Sequence, residues 1–149
     1  MRQDFLTYLK AIGMSEILCK RVETIHEFYR QLCPEDITGI FVTDYVREDG
    51  TREYENLWFF AGPYWMEAHD FVTKDEFDMV KARVSSWLVK KQDYDFQRAT
   101  EKSRLQIDYG CEGEVQGRLK AAKENCDYLR EILVKRIIPK VAEYLPESR

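Results

Sequence analysis

The sequence lacks any long hydrophobic run, and this absence limits where the protein is expected to reside. No stretch approaches the roughly 20 consecutive apolar residues of a membrane-spanning helix. The first residues, MRQDFLTYLKAIG, carry charges among their apolar positions and lack the uninterrupted apolar core of a signal peptide. We therefore expect a cytoplasmic protein with reduced cysteines and no membrane insertion.

Cysteine and histidine are scarce and widely separated. No two of the four cysteines are spaced as C-x-x-C, so spacing gives no support for a zinc finger or a thioredoxin-like site. Cys19, His26 and Cys33 lie seven residues apart, but seven helical residues rise about 10.5 Å, too far for ligands of one ion. We expect no metal and no cofactor.

Common catalytic motifs are absent as well. The chain contains no P-loop, no G-x-G-x-x-G, no G-x-S-x-G and no H-E-x-x-H sequence. Its net charge of −4 argues against a general nucleic-acid binder, which would show a basic surface. We therefore expect a non-catalytic protein with no nucleic-acid partner.

The 149 residues suffice for one domain with its own core, and we predict a single domain over 1–149. Apolar residues recur every three or four positions through residues 1–34, which predicts a helical hairpin. Gly13 ends the first helix, Ser15 is the N-cap of the second, and Pro34 ends the second.

Residues 37–121 predict an antiparallel sheet. The runs ITGIFVTDYV and REYENLWFFA flank EDGT, which is a hairpin signal. We favour a three-residue turn with Gly50 in the left-handed conformation, because a two-residue turn places Asp44 opposite Glu55. The run LWFF has no alternating polar residue, which indicates a strand buried on both faces, and the sequence Ala61-Gly62-Pro63 then predicts a tight turn.

The middle of the chain gives mixed signals. Thr73 to Glu76 fits a capping box, which predicts a short helical insert near 74–79, followed by a strand to about Lys91. A single helix to Lys90 is the alternative. YDFQRA and RLQIDYG predict a further hairpin, with Asp93 and Asp95 on one strand face as a candidate cation site.

The last third predicts a strand that leads into a helix. EVQGRLKA alternates as a half-buried strand does, and Asn125 is the expected N-cap of a C-terminal helix over 123–145. Pro139 is expected to kink or end that helix.

This order of elements is α+β: an N-terminal helical hairpin, then an antiparallel β-sandwich or partly open barrel closed by a C-terminal helix. From Ile37 to about Ile138 it resembles the pleckstrin-homology-like (PH-like) superfold, on element order and on the ending EVQGRLKA–(AKE)–NCDYLREIL. The resemblance implies a binding module. Tyr128 and Leu129 stand where many such domains carry a tryptophan, and the basic signature of phosphoinositide-binding members is absent, which disfavours lipid headgroups.

Aromatic residues are concentrated in LWFFAGPYWMEAHDF, residues 57–71, which predicts a buried core strand or an aromatic surface for a partner. His69 and Glu67 share a strand face, whereas Asp70 does not. We expect a protein–protein interaction module that binds through this aromatic-rich surface or a sheet edge, with a homodimer as one option. The candidate binding residues are Trp58, Phe60, Tyr64, Trp65 and His69.

Two alternatives stay open. In a helix-grip fold the aromatic residues would line an apolar cavity, and the chain would be a small-molecule binder or a small enzyme. Basic residues concentrate at Lys90-Lys91 and in GRLKAAK, so an anion site is also predicted. Its candidate contacts are Arg118, Lys120 and Lys123.

Overall fold

The computed structural model describes residues 1–111 and 114–144 and has an α+β fold. Seven antiparallel strands form two sheets, β1-β2-β3-β4 and β5-β6-β7, and neither sheet closes into a barrel within the described residues. This confirms the α+β class and the antiparallel arrangement of the strands. The elements are α1 (Gln3–Ala11), α2 (Glu16–Leu32), β1 (Gly39–Val46), β2 (Arg52–Ala61), β3 (Tyr64–His69), β4 (Glu76–Lys81), β5 (Ser86–Gln92), β6 (Arg104–Cys111), β7 (Glu114–Ala122), α3 (Asn125–Ile132), a π-helical segment (Leu133–Ile137) and α4 (Ile138–Tyr144).

The chain divides into two compact units. Unit 1 contains residues 1–42 and 54–81, and unit 2 contains residues 43–53 and the described residues from 82 onward. The single domain expected over 1–149 stays a prediction. Among the described residues, no helix is both long enough and apolar enough to cross a membrane.

Unit 1 begins with the two predicted helices. Helix α1 ends at Ala11, and Gly13 follows with φ +83°, in the left-handed region that glycine adopts without strain. The side chain of Ser15 accepts a hydrogen bond from the Leu18 N–H, which confirms Ser15 as the N-cap of α2. Helix α2 ends at Leu32, before Pro34, as predicted.

The core of unit 1 is built on the aromatic strand. Residues 57–61 of β2 are all buried, which confirms that this stretch is covered on both faces. The Phe59 ring contacts the rings of Phe5, His26 and Tyr29 from the two helices, with centroids 5.2–6.2 Å apart. Each fully buried side chain of this size stabilises the fold by about 1.5–3 kcal/mol.

The predicted helical insert near 74–79 is wrong. Residues Glu76–Lys81 form strand β4, which pairs with β3 from His69↔Glu76 to Tyr64↔Lys81. One helix-like turn does occur, but earlier, where Lys74 N–H donates to the Asp70 carbonyl. The capping-box signal is local, and the continuous ladder with β3 outweighs it. The alternative of a single helix to Lys90 is wrong for the same reason.

Unit 2 contains the β5-β6-β7 sheet, whose faces differ in polarity. Side chains at alternate positions are buried: Leu105, Ile107, Tyr109, Leu119 and Ala121. Gly117 lies directly under an aromatic ring, because a Cβ built there would be 2.2 Å from Cε1 of Tyr109. The other face carries polar side chains, including the cross-strand row Lys90↔Gln106↔Lys120.

The first hairpin turn, which belongs to unit 2, is as predicted. Arg47 N–H donates to the Thr51 carbonyl, and Gly50 N–H donates to the Arg47 carbonyl, which leaves residues 48–50 as a three-residue loop. Gly50 has φ +88° and occupies the left-handed position.

The strand predicted at YDFQRA is absent. The strand expected up to Lys91 is interrupted at 82–85, and β5 pairs directly with β6 across a loop at 93–103. In that loop the Asp95 carboxylate accepts hydrogen bonds from the Gln97 and Arg98 N–H groups. Such side-chain bonds compete with a strand ladder, so Asp93 and Asp95 do not lie on a shared strand face as predicted.

The C-terminal helix differs from the prediction in two ways. Asn125 is the first helical residue rather than the N-cap, and its side chain donates to Asp44. The Leu133–Ile137 segment is π-helical and ends two residues before Pro139, whose ring would clash with a regular helical turn. The helix therefore continues past Pro139 to Tyr144, and residue 145 of the predicted range lies outside the described residues.

Candidate functional site

Three of the predicted aromatic contacts lie in the core of unit 1. Trp58 and Trp65 are each 1% exposed and Phe60 is fully buried, with the Phe60 and Trp65 rings in edge-to-face contact at 5.2 Å. A partner at the surface would not reach these rings unless the unit opened. Tyr64 and His69 are half-buried, so part of each side chain is accessible.

The three predicted anion contacts do not converge. Arg118 donates to Asp108 at 2.9 Å, and Lys123 Nζ lies 3.3 Å from Glu101. Lys120 instead has its ammonium 5.5 Å from the centre of the Tyr45 ring, a cation–π contact. Of the three residues, Lys120 is the one that lines a groove in unit 2.

This groove, which we call the basic groove, has a volume of about 280 Å³. The two basic stretches noted in the sequence meet here, because Lys90 and Lys120 both pair with Gln106 across the sheet. Its lining residues are Asp44, Tyr45, Lys90, Lys91, Gln92, Arg104, Leu105, Gln106, Lys120 and Ala121.

Two lysines that line the basic groove, Lys90 and Lys91, are weakly compensated. In the part of the chain that the structure describes, neither Lys90 nor Lys91 forms an ion pair, and both side chains are exposed. Arg104 donates to the backbone carbonyls of Glu101 and Ser103, at 3.1 and 2.7 Å. The groove therefore presents cations that a carboxylate or phosphate would neutralise.

Asp44 is the one acidic residue among those lining residues, and its carboxylate is committed to a buried network. Its Oδ2 accepts from Nε of Arg52 at 2.6 Å, while its Oδ1 accepts from the Ala122 N–H and the Asn125 side chain, both at 2.9 Å. Arg52 also donates to Glu124 and to the Ala122 carbonyl. With its negative charge satisfied in this way, Asp44 does not offset the lysines of the groove.

A second cluster of polar side chains lies in unit 1. On β3, Glu67 and His69 share a face, as predicted, with His69 Nε2 at 3.6 Å from a Glu67 carboxylate oxygen. The neighbouring strand supplies Asp78, directly opposite Glu67, whose carboxylate lies 2.5 Å from the same Nε2. The three ligand-type atoms lie within 4.8 Å of one another.

Burial and mutual charge perturb this cluster. Burial raises the pKa of Glu67 to about 7, with the Asp78 and Glu55 charges adding to the rise and His69 opposing it. Burial alone would lower the pKa of His69, but its bond to Asp78 and the charges of Glu67, Asp78 and Glu76 together raise it. Glu67 and His69 therefore each hold a proton more tightly than the same side chain does in water.

Sequence reasoning missed two features of these sites. The helical insert expected near 74–79 contains Asp78, so the sequence does not predict its position opposite Glu67; alternation within DEFDMVK is the signal that indicates a strand. Lys90 and Lys120 were noted separately, and no local signal brings together residues 30 positions apart.

Comparison with known proteins gives no match for this chain among protein families, curated proteins or solved structures.

Proposed function

We propose that this chain is a non-catalytic binding module that recognises an acidic, extended segment of a partner protein in the basic groove of unit 2. The observation that carries the proposal is the convergence of Lys90, Arg104 and Lys120 on one side of the β5-β6-β7 sheet, where Lys90 is exposed and forms no ion pair with any residue that the structure describes. In a chain of net charge −4, such a local excess of positive charge favours an anionic ligand.

The edge of the sheet supports a peptide as the ligand. β5 is an edge strand, with β6 as its single neighbour in the described sheets. A peptide added beside β5 would form main-chain hydrogen bonds, and its alternate side chains would point to the face that carries Lys90. Leu88, which is 56% exposed, would provide apolar contact on that face.

The size of the groove also favours a peptide side chain over a free metabolite. Pockets that enclose drug-sized ligands have volumes of about 300–1,000 Å³. At about 280 Å³ the basic groove is just below this range and open to solvent. The small-molecule alternative therefore has less support than the interaction module.

The order of the strands supports the PH-like resemblance. A four-strand meander, a three-strand meander and a C-terminal helix follow one another along the chain. A PH-like arrangement is part of this proposal, and fold analogy alone does not identify the ligand.

The test uses short fluorescent peptides in which valine alternates with glutamate, glutamine or lysine. Fluorescence anisotropy should show binding of the glutamate peptide alone, weakening as salt is added. The double variant Lys90→Gln/Lys120→Gln should weaken binding roughly two- to thirtyfold, because each exposed charge contact contributes about 0.2–1 kcal/mol.

The matched control is Arg118→Gln/Lys123→Gln, which removes two cations of the same unit that already have acidic partners. It should leave peptide affinity within about twofold of the wild-type value. Equal losses in the two double variants would show that net charge, and not the groove, determines binding. Equal binding of the glutamate and glutamine peptides would contradict an acidic ligand.

A further inference from the structure

The cluster Glu67, His69 and Asp78 has the composition and placement of a metal site. Its backbone positions are fixed by the β3–β4 ladder, because Glu67 and His69 are two residues apart on one strand and Asp78 is the cross-strand partner of Glu67. The three side chains therefore meet on one face without the help of a flexible loop. One imidazole nitrogen and two carboxylates supply three ligands.

The distances between the ligand atoms suit a small divalent ion. Ligands at about 2.0–2.1 Å from a tetrahedral ion lie about 3.3 Å from one another. The His69–Glu67 separation of 3.6 Å is close to this value. The His69–Asp78 separation of 2.5 Å is that of a hydrogen bond, so Asp78 would have to move outward by about 0.8 Å. Its side chain is 61% exposed and has room to do so.

The ligand chemistry selects a class of metal. An imidazole ligand favours Zn²⁺ and related transition metals over Mg²⁺ and Ca²⁺, which prefer oxygen. Burial leaves Glu67 only 15% exposed, and a bound cation would compensate this poorly solvated carboxylate. The accessibility of His69 and Asp78 leaves space for water as a further ligand.

We propose that Glu67, His69 and Asp78 bind one divalent transition-metal ion, with Zn²⁺ as the first candidate, and that a position at the ion stays open to water. The site lies in unit 1 and shares no residue with the basic groove, so it goes beyond the proposed peptide binding. The ion would replace the hydrogen bond between His69 and Asp78.

The test is titration of the chelator-treated, full-length chain with ZnCl₂ by isothermal titration calorimetry. We expect one ion per chain. His69→Gln and Asp78→Asn should each weaken Zn²⁺ binding by about tenfold or more, because each removes one of three ligands. Circular dichroism of both variants checks that they fold.

Asp70→Asn is the matched control for Asp78→Asn. It removes one negative charge beside His69, but the Asp70 side chain pairs with Lys74 and is not in the cluster. We expect its Zn²⁺ affinity to stay within about twofold of wild type, since a single exposed charge contributes little. A loss equal to that of Asp78→Asn would overturn the proposal in favour of a general charge effect.

Cysteine thiols are the main competitors for Zn²⁺, and Cys33 and Cys111 are partly exposed. The double variant Cys33→Ser/Cys111→Ser is therefore titrated in parallel. Retained binding in this variant supports the proposed ligands. Loss of binding there, unchanged binding in His69→Gln, or no Zn²⁺ binding by the wild-type chain would each overturn the proposal.

Discussion

The two units each contain a carboxylate removed from water, and the two are treated in opposite ways. In unit 2, the side chain of Asp44 is fully buried and accepts three hydrogen bonds, from Arg52, Asn125 and the Ala122 N–H. In unit 1, the Glu67 side chain is 15% exposed, and its one ion-pair contact among the described residues is with His69, at 3.6 Å. Burial alone therefore does not distinguish a structural carboxylate from a binding one; the number of donors that satisfy it does.

The largest effect is expected from breaking the satisfied cluster. Asp44→Ala removes the acceptor of Arg52 and leaves that guanidinium and the Asn125 amide without their buried partner. Removing one member of a buried ion pair costs about 3–5 kcal/mol of unfolding free energy. Urea denaturation measures this loss of unfolding free energy. A loss below about 1 kcal/mol would mean that the Asp44 network contributes little to stability, which would contradict the contrast drawn between Asp44 and Glu67.

A conservative change in the same cluster should have a smaller but clear effect. Arg52 donates to Asp44, Glu124 and the Ala122 carbonyl, and the single ammonium of Arg52→Lys does not span all three. We expect a loss of about 1–3 kcal/mol of unfolding free energy. Arg118→Lys, at an exposed pair with Asp108, serves as the control and should change stability by less than about 0.5 kcal/mol. Similar losses in both variants would contradict the importance of the three-way contact.

The pH dependence of stability tests a buried titratable group of unit 1, His26, which lies in the core of that unit. Burial lowers the pKa of His26. The positive charges of the N-terminal amino group and Arg30 lower it further, whereas the negative charge of Glu27 opposes the shift. As pH falls below about 6.5, the unfolded chain takes up this proton before the folded chain does, so the stability contributed above that pH is lost.

His26→Leu removes this titration. The unfolding free energy of wild type relative to His26→Leu should therefore fall as pH decreases from 7 to 5, by at most about 1.4 kcal/mol for each unit of difference in pKa. Denaturant melts across this range measure the difference. A constant difference would show that His26 is as easily protonated in the folded chain as in the unfolded one.

The smallest effect on stability is expected in the cluster of Glu67, His69 and Asp78. Without metal, Asp78→Asn removes an exposed ion pair to His69, and unfolding free energy should change by less than about 1 kcal/mol. Wild type and Asp78→Asn should therefore melt together in chelator and separate when Zn²⁺ is added, because a bound ion stabilises only the chain that retains its ligands. A large loss in chelator would make the cluster a structural one, like that of Asp44.

Features encoded within a few residues were predicted from the sequence. Ser15 as an N-cap, Gly50 in a three-residue turn and the shared face of Glu67 and His69 each depend on near neighbours. The sites depend on pairing between distant segments. Asp78 meets Glu67 only once β4 aligns with β3, and Lys90 meets Lys120 only through β6, so propensity and spacing could not place them.

The way the two units share the chain has a practical consequence. Unit 1 takes residues 1–42 and 54–81, and unit 2 takes 43–53 and the described residues from 82 onward, so the chain passes between them three times. No single cut therefore separates one complete unit from the other. A fragment that stops after residue 81 would carry residues 43–53 without the rest of unit 2, and a fragment that starts at 82 would lack Asp44 and Arg52. Each unit consists of two separate stretches of the chain, so it could be expressed alone only if those two stretches were joined by a new linker. A simple truncation of the gene therefore cannot encode either site within its complete unit.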